Sequence, residues 1–188
     1  DIFESILSGS IAYELARPVD LYSRWFCQSA GTRLAKAALR CVPVLLVAFL
    51  LPGELRMGLP PNALQFVLFW VSLTLGLGVV VSFAMLIYIS CFFTLSAYGM
   101  RVMAAAVADF LAGAIIPLPL FPDGLRRVVE LLPFASMQNA PLRIWVGHLA
   151  GEQALQAIGL QLFWLAAMVA FGRGLMMRAL DKVIVQGG

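Results

Sequence analysis

The sequence predicts an all-α fold, a polytopic transmembrane helical bundle. Its longest apolar stretch, residues 63–90, contains no charged side chain. A helix that crosses the roughly 30 Å apolar core of a bilayer needs about 20 such residues. Composition agrees, because 62% of the residues are hydrophobic and 12% are charged, against about 25% charged in ordinary soluble domains. The lipid bilayer is therefore the first expected partner. The formal net charge of +3 comes without a clustered basic face, which excludes nucleic acid as a partner.

The chain begins with a segment of mixed polarity before the first apolar run. It starts at Asp1 without the basic head and apolar core of a signal peptide, so we expect a fragment whose beginning is missing. Pro18 suits the first turn of a helix that should run to about Ser29. Two compatible uses remain open for this helix. The first is an interfacial helix on the cytoplasmic leaflet, with Tyr22 and Trp25 at headgroup depth. The second is a docking helix for a cytoplasmic partner. Apolar residues at steps of three and four give it one apolar face: Ile11, Leu15, Val19, Tyr22 and Phe26.

Four spanning helices follow when apolar runs are cut at charges, prolines and turn residues. Pro52 and Gly53 end the first span, and the short loop after them predicts a hairpin. Polar and small residues from Ser90 to Arg101 predict a turn after the second span, an unbroken tilted helix being the alternative. The predicted spans are residues 34–51, 63–90, 102–116 and 153–171. Together they make a single transmembrane domain over 1–188, with a cytoplasmic segment 1–33, three spans in 34–116, an external segment 117–152, the last span in 153–172 and a cytoplasmic tail 173–188.

The distribution of Lys and Arg predicts the orientation. If the spans alternate from a cytoplasmic amino end, four basic residues lie outside: Arg56, Arg126, Arg127 and Arg143. Nine lie inside: Arg17, Arg24, Arg33, Lys36, Arg40, Arg101, Arg173, Arg178 and Lys182. By the positive-inside rule both ends of this chain are cytoplasmic, and the protein is a multi-pass protein of a bacterial-type inner membrane.

The external segment is too apolar for a solvated loop and is repeatedly broken by proline. We expect short helices that dip into the outer leaflet and pack against the spans, since irregular backbone at that depth must be covered by protein or a water-filled cavity. Residues 122–132 predict one amphipathic helix, with Asp123 in its first turn. The prolines are Pro117, Pro119, Pro122, Pro133 and Pro141.

The sequence contains no motif typical of an enzyme active site. The phosphate-binding pattern GxxxxGK[ST] does not occur, so ATP hydrolysis must come from a separate chain if ATP drives this protein. The single histidine, His148, has only Glu152 nearby, which is too small a ligand set for a metal. Three widely spaced cysteines fit neither a disulfide framework nor a metal site.

Asp109 stands out because it lies among apolar residues within a predicted span. An isolated carboxylate there is costly, so it should face a cavity, meet a partner or be protonated. It either makes an interhelical hydrogen bond, lines a transport path or attracts a cationic substrate. Small residues at four-residue steps around it and in the second span permit close helix approach, within one subunit or across a homodimer. They are Ala104, Ala108 and Ala112, Ala105 and Gly113, Ser72 and Gly76, and Gly78 and Ser82.

Three stretches carry a family resemblance: SGSIAYELARPVDLYSRWF, AGAIIPLPLFPDGLRRVVELLPFASMQNAPLRIWVG and the terminal VQGG. In this order they resemble the permease subunit of an ABC-2 type exporter over nearly the whole chain. The resemblance implies six transmembrane helices, of which the first two are absent here, and re-entrant external helices after the fifth. It also implies a partner ATPase subunit that binds ATP and Mg, and a second permease copy or a homologous permease. The family's coupling helix then falls on Ile11, Leu15, Arg17, Pro18, Asp20, Tyr22 and Arg24.

The leading hypothesis is therefore the membrane-spanning permease subunit of an ATP-binding cassette exporter, without catalysis or cofactor of its own. Its substrate path would include Asp109 and Gly113. A membrane scaffold or assembly protein is the first alternative, and it predicts tolerance of Asp109→Ala or Asp109→Leu. A secondary transporter is the second, but the internal symmetry typical of that class is not evident in the sequence.

Overall fold

The computed structural model describes residues 2–7, 13, 17–52, 58–94 and 97–181. These residues form helices joined by turns, and the described part of the chain contains no β-strand. The all-α prediction is confirmed. The helices are α1 (Ile2–Leu7), α2 (Leu21–Leu50), α3 (Ala63–Ser90), α4 (Ala97–Leu111), α5 (Asp123–Leu131), α6 (Pro133–Trp145) and α7 (Gly151–Leu180), with a 3₁₀ turn at Leu118–Leu120.

Two of these helices, α3 and α7, are long and apolar enough to cross a membrane. The α3 helix begins where the Asn62 side chain accepts a hydrogen bond from the Gln65 backbone N–H at 2.8 Å, and it carries no charge over its 28 residues. Large apolar side chains such as Trp70, Phe163 and Phe171 lie exposed on their outer faces. Lipid tails can cover such exposed apolar surfaces, so these surfaces agree with a helical membrane bundle.

The cytoplasmic helix that the sequence predicted to end near Ser29 continues through the first predicted span, because α2 starts at Leu21 and runs unbroken to Leu50. Asp20 caps it, accepting a hydrogen bond from the Ser23 backbone N–H at 2.9 Å. The sequence predicted Pro18 in the first turn of this helix. Pro18 lies instead in a bend before the Asp20 cap. A lone Gly31 is too weak a breaker to separate the predicted cytoplasmic helix from the span, so the two are one helix.

The third predicted span is wrong at its carboxyl end, because α4 stops at Leu111 after 15 residues. Such a helix is about 22 Å long, less than the thickness of the apolar core. Gly113 ends it with a φ of 80°. The Gly113 N–H donates to the Phe110 carbonyl at 3.2 Å and the Ala114 N–H to the Asp109 carbonyl at 3.0 Å, the Schellman arrangement. The predicted turn between the second and third spans is confirmed, since α3 ends at Ser90 and α4 begins at Ala97.

Two short helices, α5 and α6, lie in the proline-rich segment 117–152, where the sequence predicted short helices. The amphipathic helix expected over 122–132 is observed as Asp123–Leu131. Glu130 joins α5 to α6, with its Oε1 atom 3.1 Å from Arg126 Nε and 3.0 Å from Arg143 Nη1. The Trp164 indole N–H of α7 donates to the Leu131 carbonyl at 2.8 Å. This segment is thus packed onto the long helices, as the sequence predicted.

Close contact between α3, α6 and α7 depends on small residues. A Cβ atom at Gly76 would lie 2.7 Å from the Met137 carbonyl oxygen, so only glycine admits α6 at this distance. The side-chain amide of Gln161 in α7, which is fully buried, donates to the Ser136 carbonyl at 2.8 Å and the Ser72 carbonyl at 3.1 Å. The predicted use of Ser72 and Gly76 for close approach within one chain is confirmed.

Candidate coupling junction and substrate cavity

The start of α2 is buried where it meets the ends of α3 and α7. Tyr22 is 3% exposed and Trp25 is fully buried, in one cluster with Met85 and Ile89 of α3 and Met176 of α7. The Trp25 ring also stacks on Phe92, with centroids 6.3 Å apart and planes 7° apart. Tyr22 and Trp25 therefore do not lie on the leaflet surface, as an interfacial helix would place them, because both side chains are enclosed by other helices of the bundle.

Tyr22 and its neighbours hold α2 to the carboxyl half of α7. A Cβ atom at Gly172 would lie 3.0 Å from the Tyr22 hydroxyl oxygen, so the absence of a side chain there makes room for the ring. The Arg173 guanidinium carbon lies 5.7 Å from the centroid of the same ring, within cation–π range. The Arg173 Nη2 group also donates to the Ser23 hydroxyl at 3.3 Å. We call Asp20, Tyr22, Ser23, Gly172 and Arg173 the coupling junction.

The carboxylate of Asp20 belongs to this junction electrostatically. Hydrogen bonds from Ser23, first from its side chain and then from its backbone, lower the pKa of Asp20, and the Arg173 charge lowers it further. The ionised carboxylate also lies at the positive end of the α2 dipole, where a negative charge is favourable. Asp20 thus fixes the start of α2, and the Arg173 charge of α7 favours its ionised form.

The residues predicted for ATPase coupling are placed in different surroundings. Arg17 and Pro18 lie exposed in the bend before α2, Asp20 is the cap, and Tyr22 and Arg24 lie in the first turn. Ile11 and Leu15 lie outside the described residues. The exposed residues 17–20 are directly followed by the buried start of α2. A partner that contacts these residues can therefore displace α2 within the bundle.

A cavity of about 540 Å³ lies between α2, α3 and α4, with α6 at one side. Its walls are chiefly aliphatic and aromatic, and Arg33, Thr74, Asp109 and Gln138 bring polar groups to it. Asp109 therefore faces a cavity, one of the three situations that its position in the sequence allowed. Gly113 is not among the described residues that line the cavity, and it acts instead in the turn that ends α4.

Sequence reasoning missed Gln161, Gly172 and Arg173. Gln161 lies within the predicted last span, and a polar side chain in a span is the same signal that singled out Asp109. Gly172 and Arg173 lie next to the predicted end of that span, where glycine and arginine suggest only a helix end at the headgroups. Their contact with Tyr22 joins residues about 150 positions apart, so no local pattern could reveal it.

The family model described as ABC-2 family transporter protein matches residues 1–187. The chain belongs to the ABC-2 transporter family. No curated protein and no solved structure matches it. Membership confirms the resemblance carried by the sequence and makes this chain a membrane permease of an ABC-type transporter.

Proposed function

We propose that this ABC-2 permease is one of two membrane subunits of an exporter driven by separate ATPase subunits, which bind ATP and Mg. The second membrane subunit is another copy of this chain or a homologous permease. The segment before α2 contacts the ATPase. Closure of the ATPase pair around ATP displaces this segment, and the coupling junction transmits the displacement to α2 and α7.

The junction is the observation that carries this proposal. Arg17, Pro18 and Val19 are exposed, whereas Tyr22 and Trp25 a few residues later are buried against α3 and α7. The α2 helix then continues without a break for 30 residues, about 45 Å at helical rise. Its middle part lines the cavity through Arg33, Leu34, Ala37 and Cys41. A push at the exposed bend therefore reaches the cavity wall through one rigid element.

The cavity is the proposed part of the substrate path. It is mainly apolar, with a carboxylate at Asp109 and a guanidinium at Arg33, so it suits amphipathic molecules. The start of α2, the end of α3 and the end of α7 pack together at the end of the bundle that also holds Arg24, Arg101 and Arg178. By the positive-inside rule we assign this end to the cytoplasm, in an inner membrane.

Uncoupling variants test the proposal in vesicles that contain the whole transporter. Arg17→Ala and Asp20→Ala should leave the complex folded but reduce the coupling of ATP hydrolysis to export. Arg127→Ala, an exposed arginine in α5 near the opposite end of the bundle, is the matched control and should not alter coupling. Normal coupling in both Arg17 and Asp20 variants would contradict the proposal and favour a scaffold without a transport path.

A further inference from the structure

A second cavity, of about 510 Å³, lies at the end of the bundle that contains the coupling junction. Three cationic side chains converge on it, Arg33 and Lys36 from α2 and Arg101 from α4. Hydroxyl and amide groups supply further hydrogen-bond donors. No acidic residue is among the described residues that line it. The remaining lining residues are Ile2, Gln28, Ser29, Thr32 and Tyr88.

The position of this basic cavity along the helices is that of a membrane–water boundary. Tyr88 lies two residues before the end of α3, and Arg101 lies four residues after the start of α4. Ile2 of α1 lines the cavity, while the exposed Glu4 lies about 200° around that helix, on its opposite side. Basic pockets between helices at this depth are suited to the phosphate groups of lipids.

Arg33 lines both the basic cavity and the apolar cavity described above. The two spaces therefore meet at one side chain, one with cationic and hydroxyl groups and the other with aliphatic walls formed by residues such as Leu77, Val80 and Ala105. A free phosphate would use only the first space. An amphipathic anion, with a phosphate head and an acyl chain, would use both.

We infer that the two cavities together bind one anionic phospholipid, with its phosphate among Arg33, Lys36 and Arg101 and an acyl chain along the apolar cavity. Asp109 fixes the direction of binding. It lies eight residues after Arg101 on α4, about 12 Å along the helix, and its carboxylate repels an anionic head from that end of the apolar cavity. This site shares the apolar cavity with the proposed substrate path, but lipid binding to it requires neither the ATPase nor the coupling junction.

The test is lipid binding by the purified full-length protein, without the ATPase. Spin-labelled phosphatidylglycerol and phosphatidylcholine, each added to the protein in phosphatidylcholine vesicles, report how strongly each lipid associates. We expect phosphatidylglycerol to be preferred, and Lys36→Gln, Arg33→Gln and Arg101→Gln each to weaken its binding about fivefold. Arg40→Gln is the matched control, since Arg40 lies one helical turn after Lys36 and is not among the residues that line either cavity.

Two further measurements separate a lipid from free phosphate. Ala105→Phe narrows the apolar cavity and should weaken binding of long-chain phosphatidylglycerol while leaving the charged residues in place. Inorganic phosphate at millimolar concentration should compete poorly with the lipid. Equal association of the two lipids, an equal loss in Arg40→Gln, an unaffected Ala105→Phe variant or full displacement by inorganic phosphate would each overturn the inference. Lys36 is exposed, so its variant tests the site without disturbing the fold.

Discussion

The ring of Tyr22 occupies the space that a side chain at Gly172 would need. A Cβ atom at position 172 would lie 3.0 Å from both the hydroxyl oxygen and the Cε2 atom of Tyr22. Tyr22 stands at the beginning of α2 and Gly172 in the second half of α7. The contact therefore joins the segment that we assign to ATPase coupling with the last helix of the permease.

Gly172→Ala should lower the thermal stability of the detergent-solubilised protein relative to Gly174→Ala. Alanine gains up to about 1 kcal/mol over glycine within a helix at either position. At position 174 a new Cβ atom meets nothing within 4 Å, whereas at position 172 it presses on the buried Tyr22 ring. Equal stabilisation by both variants would show that the Tyr22 ring moves freely and does not hold α2 to α7.

Asp20→Ala should cost about 1 kcal/mol of stability at neutral pH, because α2 loses its cap. The pKa of Asp20 is lowered in the folded protein, so its stabilising contribution is complete above the unfolded-state pKa of about 3.9 and is lost as the pH falls through the lowered value. Thermal unfolding between pH 3 and pH 7 measures this dependence. Asp20→Asn should retain the cap but lose this pH dependence.

Asn62 provides the control for this experiment, since it caps α3 with an uncharged side chain. Asn62→Ala should lower stability by a similar amount at every pH. If Asp20→Ala and the parent protein lose stability in parallel as the pH falls, the carboxylate does not contribute in the way its hydrogen bonds indicate.

Gln161→Leu should loosen α6 from α3 and α7, because its amide group donates to backbone carbonyls of both neighbouring helices. Hydrogen bonds of this kind between membrane helices are worth about 0.6 to 2 kcal/mol. Hydrogen exchange of the α6 amides should accelerate accordingly. Gln156→Leu, at an exposed site one turn and a half earlier in α7, should leave α6 protection unchanged, and equal protection in both variants would contradict the role of Gln161.

Asp109→Leu and Asp109→Asn distinguish a charge that lines the path from a structural hydrogen bond. If the carboxylate attracts cationic amphiphiles, both variants should reduce their stimulation of ATP hydrolysis by about tenfold, equivalent to ~1.4 kcal/mol of binding. Neutral amphiphiles should stimulate ATP hydrolysis equally in the parent protein and in both variants. Full stimulation in Asp109→Leu would show that Asp109 does not attract the substrate, and full stimulation in Asp109→Asn alone would assign Asp109 a hydrogen-bonding role.

The sequence was most informative where one helix could be judged by its own residues. The uncharged α3, the turn after Ser90 and the amphipathic α5 are local patterns of hydrophobicity and breakers, and the structure has all three. The end of α4 was missed because it depends on the positive φ of Gly113, and a single glycine in an apolar run does not reveal its backbone angle. Apolar character continued to Ile116, so the predicted span ended five residues after the helix does.

The candidate site was predicted less completely, for a physical reason that Trp25 illustrates. An aromatic residue near basic residues and ahead of an apolar run is typical of the headgroup region. Its burial depends on side chains of α3 and α7, which lie far along the chain. Long-range packing of this kind decides where the coupling junction forms, and only the three-dimensional structure shows it.

Co-purification is the most direct test of the central claim, that the exposed bend before α2 binds an ATPase. The full-length permease, extracted in mild detergent, should retain an ATP-hydrolysing subunit. Alanine substitution of residues 17–20 together should release that subunit while the permease stays folded, and the Arg127→Ala control should retain it. A permease that never holds an ATPase, or one that holds it equally well after the substitution, would contradict the account.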